Sequence, residues 1–270
     1  MKTMNVIPLL LFLCVALMSS GQSSQSDYLQ SGLAKFKAKD YKGSIADFTE
    51  AIKYDTTFAD VYYYRGLSEA LLPDLQKALV DLNKSIAIDA KSSDYYNARG
   101  NIKSGLKDYE GAIVDYNKAL ELNPKSKKPW YNRGFAKAIT GDYKGSIADF
   151  DQAIKNNPKD AEAFNARGES KAYMKDYDAA EKDFNTAIQI NPNYANGYYS
   201  RGNFKASQRD HRDAIKDFNK AIEIDAKLAI AYYGRAMSKL EVDQNACPDL
   251  HKAIDNGYSK AYEVLKKYCK

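Results

Sequence analysis

The dipeptide Arg-Gly returns every 34 residues along this chain, at Arg65-Gly66, Arg99-Gly100, Arg133-Gly134, Arg167-Gly168 and Arg201-Gly202. Weaker echoes at Ser31-Gly32 and Arg235-Ala236 extend the register to seven units, residues 25–58, 59–92, 93–126, 127–160, 161–194, 195–228 and 229–257. A fixed period of this kind specifies one supersecondary unit that buries its apolar face only against its neighbours, and 34 residues is the length of a helix-turn-helix. The period therefore predicts an all-α array of stacked helix pairs.

Numbering each unit so that its glycine stands at position 8, position 4 is always aromatic: Tyr28, Tyr62, Tyr96, Trp130, Phe164, Tyr198 and Tyr232. Position 24 is large, in Phe48, Leu82, Tyr116, Phe150, Phe184 and Phe218, while position 20 (Ser44, Ala78, Ala112, Ser146, Ala180, Ala214) and position 27 (Ala51, Ser85, Ala119, Ala153, Ala187, Ala221) are small. Large residues facing small ones describe two helices in close contact. A glycine inside a helix is about 1 kcal/mol worse than alanine, so its return at position 8 predicts a site where a Cβ meets the facing helix. Apolar periodicity continues on both sides of it, which argues against a simple helix break.

Each turn ends in an aspartate, at Asp40, Asp74, Asp108, Asp142, Asp176 and Asp210, placed to cap the second helix with its carboxylate. Second helices end near Asn123-Pro124, Asn157-Pro158 and Asn191-Pro192, where proline stops the helix. Thr56, Ala90 and Ala226 occupy the proline position elsewhere, and those three junctions are expected to be less sharply defined.

With these residues the chain resembles the tetratricopeptide repeat family over about 245 residues, in a form similar to secreted bacterial members. The resemblance implies a right-handed α-α superhelix (a solenoid) of seven helix-turn-helix repeats spanning residues 22–257, with a capping helix in 258–270 and first helices lining a concave groove. Two positions depart from the family pattern. Position 7, usually apolar there, is Arg, and position 11, often Tyr, is Lys in Lys103, Lys137, Lys171, Lys205 and Lys239.

The arginines have matching acids at position 23, in Asp47, Asp81, Asp115, Asp149, Asp183 and Asp217. Each of Arg65, Arg99, Arg133, Arg167 and Arg201 is expected to pair with an aspartate of its own or the preceding second helix, fixing the register between adjacent repeats. The opposing reading is a row of free arginines that binds an anionic ligand.

At the C-terminal end, Cys247 and Cys269 lie nearly symmetrically about the loop Asn256-Gly257-Tyr258, and a final helix runs from Lys260 to Tyr268. In an antiparallel helix pair the two cysteines meet, and a disulfide closing a loop of this size contributes about 3 kcal/mol. Two unbridged buried thiols, or a redox or metal role, remain the alternatives. The segment also resembles the terminal caps of secreted bacterial repeat proteins.

Residues 1–21 read as a signal peptide: Lys2, an apolar stretch from Ile7 to Met18, and small residues in Ser19-Ser20-Gly21 ahead of Gln22. The stretch is short for a transmembrane anchor. Acylation of Cys14 is disfavoured by Leu13 before it and the apolar residues after it. The chain is expected to be exported, to the periplasm or beyond, with no membrane insertion of the mature part. Its net charge of +5, with Lys and Asp interleaved, indicates a solvated surface and not a nucleic-acid stripe.

Nothing in the sequence forms a catalytic constellation. His211, placed in a turn, and His251 have no nucleophile at a recognisable spacing, and no glycine-rich phosphate loop is present. Asn83-Lys84-Ser85, formally a glycosylation acceptor, falls within a helix. No cofactor or metal is expected, and the chain is read as a non-enzyme.

The variable positions are more informative. The resemblance places positions 2, 5, 9 and 12 of each first helix on the concave side. The groove residues are then Tyr63, Asn97, Asn101, Tyr131, Asn132, Asn165, Glu169, Tyr199, Asn203 and Tyr233, with small residues such as Ala138, Ala172 and Ala206 leaving room. Tyrosine offers amphipathic contact area and asparagine bonds a peptide backbone in both directions. The family's clamp for acidic chaperone tails is incomplete: Asn101 and Asn132 match it, but Asn97, Glu162 and Ala166 stand where it needs cations. The expectation is a protein–protein interaction scaffold of the bacterial cell envelope that binds an extended peptide or partner helix. A carbohydrate-binding or envelope-assembly accessory is the alternative, and the partner's identity and the oligomeric state stay open.

Overall fold

The computed structural model describes residues 25–269; the expected signal peptide, with Cys14, lies outside the described residues. Among the described residues every regular element is helical, and none is long and apolar enough to cross a membrane. The chain divides into two compact units, with the division between Asn132 and Arg133.

The first unit holds α1 (residues 25–37), α2 (Tyr41–Tyr54), α3 (Ala59–Leu71), α4 (Leu75–Ile88), α5 (Ser93–Gly105), α6 (Tyr109–Leu122) and the start of α7 (Lys128–Ile139). The second holds the rest of α7, then α8 (Tyr143–Asn156), α9 (Ala161–Tyr173), α10 (Tyr177–Ile190), α11 (Ala195–Ser207), α12 (His211–Ile224), α13 (Ala229–Leu240), α14 (Cys247–Asp255) and α15 (Ala261–Tyr268). Within each unit, odd helices pack against the even helix that follows, even helices against the next odd one, and successive odd helices touch. These are stacked helix pairs, as the 34-residue period predicts.

Each helix pair closes where the period places large against absent side chains. Phe48, Leu82 and Tyr116 in the first unit, and Phe150, Phe184 and Phe218 in the second, are fully buried. Their partners are the repeat glycines: a Cβ on Gly100 stands 2.6 Å from the Tyr116 ring, and one on Gly202 stands 2.9 Å from Phe218. Alanine at Gly100 forces a shift of a packed ring.

The turns are built from one aspartate doing two jobs. The N–H of Asp108 bonds back to the Lys103 carbonyl at 2.8 Å, closing the first helix, while its carboxylate accepts from Gly111 N at 3.0 Å and opens the second. The residue before it is left-handed in five of the six turns, at Lys39, Lys107, Gly141, Lys175 and Arg209, the geometry that normally favours glycine; Pro73 precedes Asp74 in the sixth. Asp176 alone among these caps makes no side-chain bond to its helix.

The junctions after the second helices differ from expectation. Those with Thr56, Ala90 and Ala226 are as well defined as the proline ones, because Asp55, Asp89 and Asp225 accept from the N–H of Thr57, Lys91 and Lys227 at 2.7–2.9 Å. Asn123, Asn157 and Asn191 make the same side-chain turn. An acidic or amide side chain at this position, not proline, ends the helix.

The arginines are engaged by side chains. Each takes the aspartate of its own second helix in a two-pronged bond: Arg65 on Asp81, Arg99 on Asp115, Arg133 on Asp149, Arg167 on Asp183 and Arg201 on Asp217, with distances of 2.6–2.9 Å. Sixteen residues across a tight turn bring the two side chains face to face within one helix pair. The pair therefore does not join adjacent repeats. That link comes from the third guanidinium nitrogen, with which Arg65, Arg99, Arg167, Arg201 and Arg235 donate back to Thr49, Asn83, Asp151, Asn185 and Asn219 of the preceding second helix. Arg235 completes the series on Asp249, fourteen residues away, in the unit shortened by two residues.

Lysine at position 11 joins the same aspartate. Lys103, Lys137, Lys171, Lys205 and Lys239 lie 2.8–2.9 Å from Asp115, Asp149, Asp183, Asp217 and Asp249. Both departures from the family pattern thus serve one feature, a buried carboxylate held by two cations. The guanidinium carbon also stacks over the position-4 ring at 5.2–5.7 Å, as Arg167 does over Phe164.

The end of the second unit is covered by α15. Ala261 joins Ala236, Leu250 and Ala253 in a buried cluster, and Val264 and Leu265 pack against it. The Cys247 and Cys269 sulfurs are bonded at 2.05 Å, with Cα atoms 5.7 Å apart, tying the start of α14 to the end of α15.

Candidate functional site

The face formed by successive first helices carries the variable polar and aromatic residues, and the two units use them differently. In the first unit Tyr63 lies with its ring 5.0 Å from those of Tyr64 and Tyr95. Burial pushes its phenol up to about 12, so it is a packed neutral side chain more than an open platform. Asn101 accepts from the Tyr116 hydroxyl at 2.9 Å and from the Asn132 amide at 2.8 Å, which ties three side chains together. Asn97 keeps a buried carbonyl oxygen without a partner, and Tyr131 is half-buried in α7.

In the second unit the same face opens. Asn165 on α9, only 6% exposed, donates to Glu169 Oε1 at 3.0 Å and to Ser200 Oγ on α11 at 3.2 Å. The Ser200 hydroxyl donates in turn to Glu169 Oε1 at 2.6 Å. Burial of the carboxylate pushes its pKa up, against the pull of those two hydrogen bonds. The residue as a whole is exposed, so water in the opening screens part of that effect.

Beside this triad lies a cavity of about 550 Å³, walled by Tyr173, Tyr177, Phe184 and Phe204 and reached by Glu169 and Asn203. A second cavity of about 300 Å³ adjoins it, lined by Tyr199, Tyr233, Tyr258, His211 and Glu241. Asn203 borders both. Five expected groove residues, Asn165, Glu169, Tyr199, Asn203 and Tyr233, therefore meet along one trough in α9, α11 and α13.

Several trough residues escape the sequence reading. His211 is not a solvated turn residue: it is the first residue of α12, borders the second cavity and buries Nδ1 without a partner. Ser200, Tyr173, Tyr177 and Tyr258 also line the trough. Ser200 was detectable as a hydroxyl at position 6, where the fourth copy has Asn132 and the third and fifth have alanine. Among the described residues no group of three or more His, Cys, Asp or Glu is placed to hold a metal ion.

This architecture defines a class, the helix-pair repeat proteins. Family models described as tetratricopeptide repeat match residues 29–95, 93–126, 128–160, 161–194 and 195–228. The chain belongs to the tetratricopeptide repeat family, whose members typically mediate protein–protein interaction. Among solved structures, a tetratricopeptide repeat protein from Parabacteroides merdae ATCC 43184 is similar over 92% of this chain and 100% of its own, at 22% identity and a TM-score of 0.79. YrrB matches over 70% of this chain and 97% of its own (23% identity, TM-score 0.57), and MamA over 65% and 96% (20%, 0.59). These likenesses establish the fold. Comparison with curated proteins finds no match.

Proposed function

We propose that this chain is a non-enzymatic interaction scaffold that holds an extended peptide or partner helix along the trough of its second unit. The observation that carries the reading is the pair of adjoining cavities sharing Asn203, lined by rings that present both apolar faces and hydroxyls. Such a surface anchors side chains in pockets while amides engage a backbone. YrrB, similar in fold, is described as a tetratricopeptide repeat protein with an unusual peptide-binding site, which supports a peptide as the ligand class.

A bacterial envelope location is part of the proposal. Its support is the signal-like pattern of residues 1–21 and the paired Cys247 and Cys269, since disulfides persist in oxidising compartments. A second reading, glycan stacking, has one observation in its favour: Tyr173 lies flush on Tyr143 at 4.7 Å and stays 68% exposed.

The test is selection of binders from a displayed random peptide library on the exported chain, followed by Asn203→Trp, which fills the junction of the two cavities. Selected peptides should lose binding to the variant at unchanged melting temperature. Unaltered binding sinks the trough assignment, and retention on a glycan array with no peptide selected favours the second reading.

A further inference from the structure

The larger cavity is bordered by Glu169 and Ser200, which Asn165 joins in a hydrogen-bonded triad beside it. The Asn165 amide nitrogen is committed to Glu169 and Ser200, which fixes the amide and leaves its oxygen buried without a partner. The Ser200 hydrogen is committed to Glu169 Oε1. That oxygen accepts both bonds, while Glu169 Oε2 receives none among the described residues and no cation pairs with the carboxylate there. At the mouth, Tyr173 and Tyr177 are 68% and 41% exposed and present electron-rich rings.

We propose that this cavity receives one cationic side chain, lysine or arginine, from the peptide held along the trough; the inference rests on the trough reading above. A carboxylate at one end and aromatic walls along the way attract a cation by charge-assisted hydrogen bonding and by the ring quadrupole. An acidic side chain meets Glu169 as a like charge, and an apolar one leaves Glu169 Oε2 without a donor. Lys175 also borders the cavity, and the chain carries a net charge of +5. Both restrict the occupant to a single cation in an otherwise neutral or acidic segment, not a polybasic tract.

The experiment uses the peptides selected from the random library on the full exported chain. The expected result is a single Lys or Arg position shared by the binders. Replacing it with norleucine or citrulline should weaken binding at least about tenfold by calorimetry. Glu169→Gln should lose affinity for the basic peptide by a similar factor while binding the norleucine peptide as wild type does, which also shows the variant to be folded. Tyr173→Ala should give a smaller loss. Binders without a shared basic position, or equal binding of the basic peptide to wild type and Glu169→Gln, overturn the cation site and leave the trough reading intact. Failure to select any peptide, or binders indifferent to Asn203→Trp, removes the trough reading and this inference with it.

Discussion

Glu69 breaks the ladder of paired charges, and its removal should change how stability depends on pH. It stands at position 11, where Lys103, Lys137, Lys171, Lys205 and Lys239 each contact their buried aspartate. Glu69 is 8% exposed, and its Oε2 is buried without a partner. Asp81 keeps Arg65 as its cation. Burial first, and then the Asp81 charge, push the Glu69 carboxyl from 4.5 up to about 7, against Arg65 and the more distant Lys77, with Asp74 adding to the rise. Between those two values the folded protein holds a proton that the unfolded chain releases. The neutral form's contribution is thus complete below pH 4.5 and is lost as pH rises through 7. The full shift corresponds to about 3 kcal/mol. Water and side-chain relaxation reduce the effective figure to roughly 2 kcal/mol, because Glu69 sits at the edge of a narrow stack. Glu69→Gln keeps the shape and removes the titration. Urea denaturation followed by circular dichroism should show the variant gaining on wild type from pH 5 up to about pH 7 and holding that gain to pH 8.5, with slowed amide exchange in α3 and α4. Glu69→Lys should gain more at pH 8.5, by adding the missing Lys–Asp contact. A difference between Glu69→Gln and wild type that does not vary with pH would falsify the argument.

Three further outcomes follow from the same geometry. Arg167→Met leaves Asp183 with Lys171 alone and cuts the link to Asp151; thermal melts should show a loss of about 3 kcal/mol, whereas a neutral effect means that the buried pair is not fully desolvated. Lys107→Gly, at a left-handed residue with φ of 66°, should stabilise by about 1 kcal/mol because glycine enters that region without strain; a loss in chemical denaturation contradicts the turn assignment. Reduction of Cys247–Cys269, or Cys247→Ser, should destabilise by about 3 kcal/mol and raise amide exchange in α14 and α15 ahead of α9 to α12, while uniform exchange argues against a local tie.

What the sequence made legible follows from what repeats. Gly100 against Tyr116, Asp108 at its turn and Arg99 on Asp115 each recur at one period, so any one copy can be read from the others. The direction of the Arg–Asp pair was not legible, since the same spacing serves partners in one helix pair or in neighbouring pairs. Asp249 was hidden by the two residues missing from the last unit, although Arg235 kept its phase. The junction turns were misjudged because proline is the more conspicuous signal, whereas Asp55 and Asn123 make the same side-chain turn.

The candidate site was legible in its facing but not in its depth. Helical phase placed Asn165, Glu169 and Asn203 on one side of their helices, and they meet along one trough. Phase did not reveal that Tyr63 in the first unit packs against Tyr95 while Tyr173 and Tyr177 stay exposed in the second. That difference depends on neighbours one repeat away. Tyr95 is held in place by its hydroxyl on Asp60, whereas the hydroxyl of Ser200 is drawn into the Asn165–Glu169 triad beside the larger cavity. Departures from the repeat therefore separate by location. On the ladder side a departure such as Glu69 meets a buried aspartate and shows in stability. Along the first-helix face a departure such as Glu169 or Ser200 meets open volume and shows in binding. A pair of assays follows from that division: Glu69→Gln should shift denaturation without altering peptide affinity, and Glu169→Gln should do the reverse.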